Sequence, residues 1–186
     1  MKCYLVSYNG LSNAGGVERV CYYISEIMKD FGYEVVVVDK QAIEEVWLNK
    51  LIKFVYRCQT VMLSSIISSI YVNKHVSKGD VIITNGFNCP FVAADILVVH
   101  GTMQGYANAI GAHVKLKDKW TWLFEKIASK NAKRIISVSR NAINEVQSLY
   151  TGPITNYHIV NNMVDQDIYK PLFTDKNDKY LNIIYC

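Results

Sequence analysis

None of the five cysteines, Cys3, Cys21, Cys58, Cys89 and Cys186, forms a C-x-x-C pair or has a histidine at metal-ligand spacing. That removes the usual zinc and dithiol frameworks. The odd count, with Met1-Lys2 leading straight into a strand and no h-region or cleavage site, points to a reducing, cytosolic setting. The longest candidate membrane stretch, Thr60 to Val72, has 13 residues and four serines, which is too short and too polar to span. Neither G-x-G-x-x-G nor G-x-x-x-x-G-K-[ST] occurs, so the dinucleotide fingerprint and the P-loop are both missing. Lysine plus arginine exceed aspartate plus glutamate by 20 to 16, a mild +4. The basic residues are scattered without an aromatic-interleaved basic motif, which argues against a nucleic-acid partner. No internal repeat or low-complexity segment is present.

What remains is an ordinary globular composition. Of 186 residues, 51% are apolar, enough for one core, and a chain this long makes one domain with at most a short overhang. The chain is organised around Tyr8 to Arg19, Y-N-G-L-S-N-A-G-G-V-E-R. Before it lies an apolar strand, Cys3 to Val6. After it Val17, Val20, Cys21, Ile24, Ile27, Met28 and Phe31 keep helical spacing. Gly15 and Gly16 sit where loop becomes helix, where no Cβ blocks an approaching group and where free N–H groups suit an anion. A tight turn without a ligand explains the same two glycines, and local sequence leaves both readings open.

Strand and helix signals then alternate. Phe31-Gly32-Tyr33 is a glycine C-cap, and the four valines after Glu34 predict a strand buried on both faces. A weakly patterned helix follows from Gln41 to Lys50, with a third strand at Leu51 to Tyr56. Thr60 to His75 predicts a helix with Met62, Ile66, Ile67, Ile70 and Tyr71 inward and serines outward. Val81 to Thr84 and Ile96 to His100 read as buried strands, with the polar loop Asn85 to Pro90 between them. Met103 to Lys117 reads as a long irregular loop, of a kind that is functional or mobile. Asp118 to Lys130 predicts a helix with Trp120, Leu123, Phe124 and Ile127 inward. Arg134 to Val138 is a strand, Ser139 an N-cap for a helix from Arg140 to Tyr150, and Tyr157 to Val160 a last strand. This alternation defines an α/β fold, a Rossmann-like parallel sheet with helices on both faces and ligands at the C-terminal strand ends. A flavodoxin-like, non-catalytic binding module fits that pattern as well as an enzyme does.

Four segments, in order, carry a resemblance: G-G-V-E-R-V at Gly15 to Val20, V-V-H-G-T at Val98 to Thr102, A-K-R-I-I-S-V-S at Ala132 to Ser139, and I-V-N-N-M-V-D at Ile159 to Asp165 with Tyr169-Lys170-Pro171 behind it. Together they resemble the N-terminal, acceptor-binding half of GT-B fold glycosyltransferases, the retaining group 1 class known as family four. The fourth segment departs from the family pattern, with Asn161 and Met163 in place of its usual proline and glycine, which implies a different turn. Within the apolar run Tyr180 to Cys186, the strand Asn182 to Cys186 resembles the opening of the family's second domain. The resemblance thus divides the chain into an N-terminal domain, 1–170, and a linker with the first strand of a missing C-terminal domain, 171–186.

The resemblance also implies chemistry. The donor would be a nucleotide sugar, used as substrate, with no cofactor and no metal. The acceptor would be a glycan or a lipid-linked intermediate of cell-surface polysaccharide or lipopolysaccharide assembly. His100, at a strand end before Gly-Thr, would contact the donor sugar, and Gly15 with Gly16 the donor phosphate. Glu18 and Arg19 in the first helical turns, Asn88, Tyr106, Ser139, Arg140 and Asn162 fall at the cleft or acceptor side. For Glu18 the helix dipole, for Ser139 capping, and for Asn88 and Tyr106 a solvated loop explain the residue without a ligand. Lys115, Lys117 and Lys119 beside Trp120 and Trp122 form either a solvated edge or a contact to anionic lipid headgroups at the inner membrane face. The family's missing domain holds most of the nucleotide-sugar site, so residues 1–186 alone would be inactive.

Overall fold

The computed structural model describes residues 1–11, 15–47 and 60–162. The expected strand at Leu51 to Tyr56, the end of the second helix, the stretch from Met163 to Asp165 and the Tyr180 to Cys186 strand lie outside them, as does the boundary near residue 170.

Six parallel strands form one sheet in the order β2-β1-β3-β4-β5-β6. They are β1 (Lys2–Val6), β2 (Glu34–Val38), β3 (Val81–Asn85), β4 (Ile96–Val99), β5 (Ile135–Ser137) and β6 (Tyr157–Ile159). The helices are α1 (Gly16–Asp30), α2 (Lys40–Trp47), α3 (Thr60–His75), α4 (Met103–Ala109), α5 (Leu116–Asn131) and α6 (Arg140–Val146). Alternate residues of β1 serve opposite faces. Cys3 and Leu5 pack with Cys21 of α1, Ile83 and Val98. Tyr4 and Val6 pack with Ile43 of α2 and Val72 of α3. Farther along, Leu97, Val99 and Ile135 meet Ala128 of α5 and Ala142, Ile143 and Val146 of α6. The α/β Rossmann-like architecture is therefore as expected, with helices on both faces.

Several local expectations are corrected. β2 is an edge strand, and of its four valines only Val38 is fully buried. On α3, Ile67 and Tyr71 pack against the core as expected, while Ile70 is exposed and Ser64, Ser65, Ser68 and Ser69 face inward with Val72. Their hydroxyls are satisfied locally, Ser65 donating to the Val61 carbonyl (2.9 Å) and Ser69 to that of Ser65 (2.8 Å). On α1 the inward face is Val20, Cys21, Ile24, Ser25 and Met28, whereas Val17, Ile27 and Phe31 are exposed. Val17 overhangs the strand ends, and Phe31 has already left the helix. The glycine C-cap is as expected: Gly32 takes φ +80° and Tyr33 N–H donates to the Met28 carbonyl (3.0 Å).

The predicted irregular loop after β4 is instead helix α4. Its N-cap Thr102 accepts from Gly105 N–H at 2.9 Å. α5 starts two residues earlier than expected, Asp118 accepting from Lys115 N–H at 2.8 Å to cap it. Trp120 and Leu123 lie on its exposed side rather than inward, and Phe124 and Ala128 supply the core contacts. Ser139 does cap α6, accepting from Ala142 N–H (3.2 Å). The helix expected to reach Tyr150 widens at Gln147–Thr151 into a π-turn, closed by Gly152 at φ +74°.

Candidate active site

The sheet reverses its winding between β1 and β3. From β1 the chain crosses outward to β2, whereas β3 to β6 extend in the other direction. The crevice above such a switch point, at the C-terminal strand ends, is where open α/β sheets bind ligands. Here it lies below the start of α1. Gly15 is extended (φ −154°, ψ 172°) and, as a glycine, offers no side-chain cap, and among the described residues no side chain caps the helix. Arg19 N–H closes the first helical bond onto the Gly15 carbonyl (3.1 Å), so the N–H groups of Gly16, Val17 and Glu18 have no helical partner.

The two glycines are not equivalent. A Cβ on Gly15 would stand 2.5 Å from a carboxylate oxygen of Glu18, whereas one on Gly16 would meet nothing within 4 Å. Neither residue has a positive φ. A side chain at Gly15 would displace only the flexible end of Glu18, and among the described residues Gly16 is the one facing open space. Glu18 is fixed in turn by Asn9, whose amide donates to its carboxylate at 2.8 Å.

His100 follows β4, two strand positions from β1 or roughly 10 Å along the sheet. Its Nε2 is buried and has no hydrogen-bond partner. Burial pushes its pKa below the ordinary 6.5, and the nearby Glu18 carboxylate works in the opposite direction. A neutral imidazole with a free ring nitrogen, near a carboxylate, can donate to or accept from a substrate hydroxyl according to its tautomer. Next to it Asn85, at the end of β3, donates to Cys21 Sγ at 3.0 Å, closing the crevice floor.

Behind His100 the backbone is held by a second group of side chains. Gly101 takes φ +152°, a conformation for which a side chain is poorly suited. The Glu145 carboxylate of α6 accepts from Thr102 N–H (3.0 Å) and Thr102 Oγ1 (2.9 Å). Glu125 of α5 accepts from Met103 N–H at 3.0 Å and from the Tyr150 hydroxyl. Burial raises the Glu125 pKa, against the hydrogen bonds from Tyr150 and Met103, and the Tyr150 hydroxyl is pushed well above its usual value by burial and by Glu125. Gly101, Thr102, Glu125 and Tyr150 border a cavity of about 20 Å³, with room for one water. The group positions the loop that follows His100.

The remaining candidates are dispersed. Arg19 is half-buried on the first turn of α1. The Asn88 amide is turned inward, donating to the Asn85 carbonyl, so it holds its own loop. Tyr106 is 61% exposed on α4. Ser139 is committed to capping, and Arg140 beside it is exposed at the end of β5, next to β4. Asn162 is exposed beyond β6, two strand positions past β4. The structure therefore gathers Asn9, Gly15, Gly16, Glu18 and His100, and leaves Asn162 and Tyr106 apart. Asn9, Glu125, Glu145 and Tyr150 were not foreseen. Only Asn9 carried a signal, lying in the opening loop; the other three are long-range partners. Among the described residues no three His, Cys, Asp or Glu side chains converge as a metal site would need.

An open parallel sheet with a helix N-terminus at its switch point and a histidine one strand farther along is consistent with the N-terminal Rossmann-like domain of a GT-B glycosyltransferase. Residues 14–168 match the profile of Glycosyltransferase Family 4, and the chain belongs to that family. Among curated proteins nothing matches it. Among the described residues no helix is long and apolar enough to cross a membrane.

Proposed function

We propose that this domain is the acceptor-side half of a retaining glycosyltransferase, moving a sugar from a nucleotide-sugar donor to a glycan or lipid-linked acceptor of cell-surface polysaccharide or lipopolysaccharide assembly. The observation that carries the reading is the buried Nε2 of His100, without a partner among the described residues, beside an α1 start whose N-cap is a glycine. In transfer from a nucleotide sugar the diphosphate gains charge as it leaves, and preorganised N–H groups stabilise that charge without reorganising. The open side of Gly16, with its unpaired N–H groups and the positive end of the helix, suits an anionic oxygen. His100, held neutral by its surroundings, orients a sugar hydroxyl by hydrogen bonding and need not carry a proton. Glu18, fixed by Asn9, keeps a carboxylate at the same wall, where it can accept from a hydroxyl.

A second domain would complete the nucleotide pocket, so residues 1–186 alone are expected to bind nucleotide sugars weakly and to transfer none. In the two-domain enzyme, His100→Ala is expected to lower kcat roughly a hundredfold, the range for one positioned catalytic group. Radiolabelled sugar transfer measures both. Robust transfer by residues 1–186, or an unchanged kcat in the His100 variant, would overturn the assignment. A strong thermal shift with nucleotide sugars in residues 1–186 alone would instead favour a free-standing binding module.

A further inference from the structure

A groove of about 300 Å³ opens at the N-terminal ends of β5 and β6, the end of the sheet away from Gly16 and His100. It lies where α5 ends, with the π-turn after α6 and the loop 153–156 as its other walls. Small-molecule sites run from about 300 Å³ upward, so the groove is large enough for one. Ala132, Ile135, Pro153 and Ile154 give it an apolar wall, and among the described residues no carboxylate lines it. Its polar groups fall into two sets. The Thr151 hydroxyl donates to the Gly152 carbonyl (2.9 Å), the Asn156 amide to the Lys133 carbonyl (3.4 Å), and the Lys133 ammonium to Asp95 (2.7 Å). These are committed to the fold. Ser129, Thr155 and Lys130 are not. Ser129 is 7% exposed, yet its hydroxyl makes no hydrogen bond among the described residues. Neither the Thr155 hydroxyl nor the Lys130 ammonium has a partner among them. A lysine in the last turn of α5 suits the negative end of the helix without a ligand. A nearly buried serine with an idle hydroxyl has no such explanation, since it leaves unused even the carbonyl one turn earlier.

We propose that this groove binds a small phosphate monoester of a sugar or polyol, at a second site separate from the crevice of α1 and His100. One uncommitted ammonium, two uncommitted hydroxyls and an apolar wall match a ligand with one anionic group, several hydroxyls and a CH face. The phosphate pairs with Lys130, where no lining carboxylate opposes it. Ser129 and Thr155 bond the ligand's hydroxyls, each able to donate and to accept. Pro153 and Ile154 cover its carbon skeleton. The site does not rest on the transfer reading, since it lies at the opposite strand ends and is measured without donor or acceptor.

Calorimetric titration of the 186-residue chain with glucose 6-phosphate, with glucose and with inorganic phosphate separates the parts of the site. Saturable one-to-one binding is expected for the ester, and binding weaker by roughly tenfold or more for glucose or phosphate alone. Lys130→Gln should weaken the ester roughly tenfold, the loss of one charge-assisted hydrogen bond. Ser129→Ala should weaken it about fivefold with no fall in Tm, because the protein loses no bond of its own. Thr155→Trp, at an exposed position, should fill the groove and abolish binding while the chain melts at the wild-type temperature. No binding of the ester, equal binding of glucose or phosphate, or indifference to any of the three variants would each overturn the proposal. So would loss of binding in Gly16→Ala with Lys130→Gln unaffected, since the ester would then sit in the crevice.

Discussion

Two helix starts lie at the same edge of this sheet and are treated in opposite ways. At α4 the first N–H groups are taken by carboxylates from α5 and α6, and a tyrosine hydroxyl completes the set. At α1, among the described residues, no side chain caps the helix, and the histidine near it has a buried nitrogen without a partner. Buried polar groups are almost always paired, so the exceptions need a cause. The saturated start is scaffold, and the unsaturated one is where a ligand would complete the pairing. The first exists to hold the second, because Thr102 stands only two residues beyond His100.

The largest effect should come from breaking the scaffold. Glu145→Ala leaves Thr102 N–H and Oγ1 without their acceptor, and a lost charge-assisted pair in a half-buried site costs about 2–3 kcal/mol. That corresponds to a fall in Tm of roughly 5–10 °C for a domain of this size, read by calorimetry. A fall within the range of ordinary surface substitutions would mean that the two carboxylates do not hold the loop, and the contrast would collapse. His100→Ala should do little by the same measurement, since its Nε2 supports no protein group.

Smaller, and specific to the open start, is a pH effect. Burial disfavours the His100 imidazolium, so between its ordinary 6.5 and its lower folded value the unfolded chain binds the proton that the folded chain refuses. Stability is therefore complete above that window and declines as pH falls through it. Urea unfolding at a series of pH values should show this decline in the wild type and a flatter profile in His100→Gln. Identical profiles would place His100 in an ordinary solvated setting. Glu125 acts in the opposite sense, its raised pKa removing stability as pH climbs past it, so Glu125→Gln should be relatively more stable at high pH than at low.

The contrast between the two starts was only half legible in the sequence. Strand-glycine-helix at residues 3–19, and a histidine ending an apolar run, follow from local pattern, and the structure sets them where a parallel sheet places its crevice. The α4 start was read as irregular loop because everything that organises it comes from far along the chain: Glu125 and Glu145 are 22 and 43 residues from the groups they bind. α3 misleads for a related reason. Hydrophobic periodicity assigns serines outward, yet Ser65 and Ser69 bond to carbonyls of their own helix and are buried. On α5 the apolar residues Trp120 and Leu123 were counted toward the core although the helix has a second apolar face.

The smallest structural change gives the sharpest test. Gly15 and Gly16 look interchangeable in sequence, and only the fold separates them. Gly15→Ala sets a Cβ against one oxygen of the Glu18 carboxylate, which must shift at the flexible end of its side chain, while Asn9 holds the other oxygen. Gly16→Ala meets nothing, at a position with no positive φ, and a glycine replaced without strain leaves stability level or raises it by about 0.5 kcal/mol. A Cβ there would nevertheless project into the space an anionic oxygen needs. In the two-domain transferase proposed above, Gly16→Ala should therefore keep its Tm and raise the KM for the proposed nucleotide-sugar donor. A Gly16 variant with unchanged Tm and unchanged KM would move the phosphate away from α1, leaving His100 and Glu18 to act on the sugar alone.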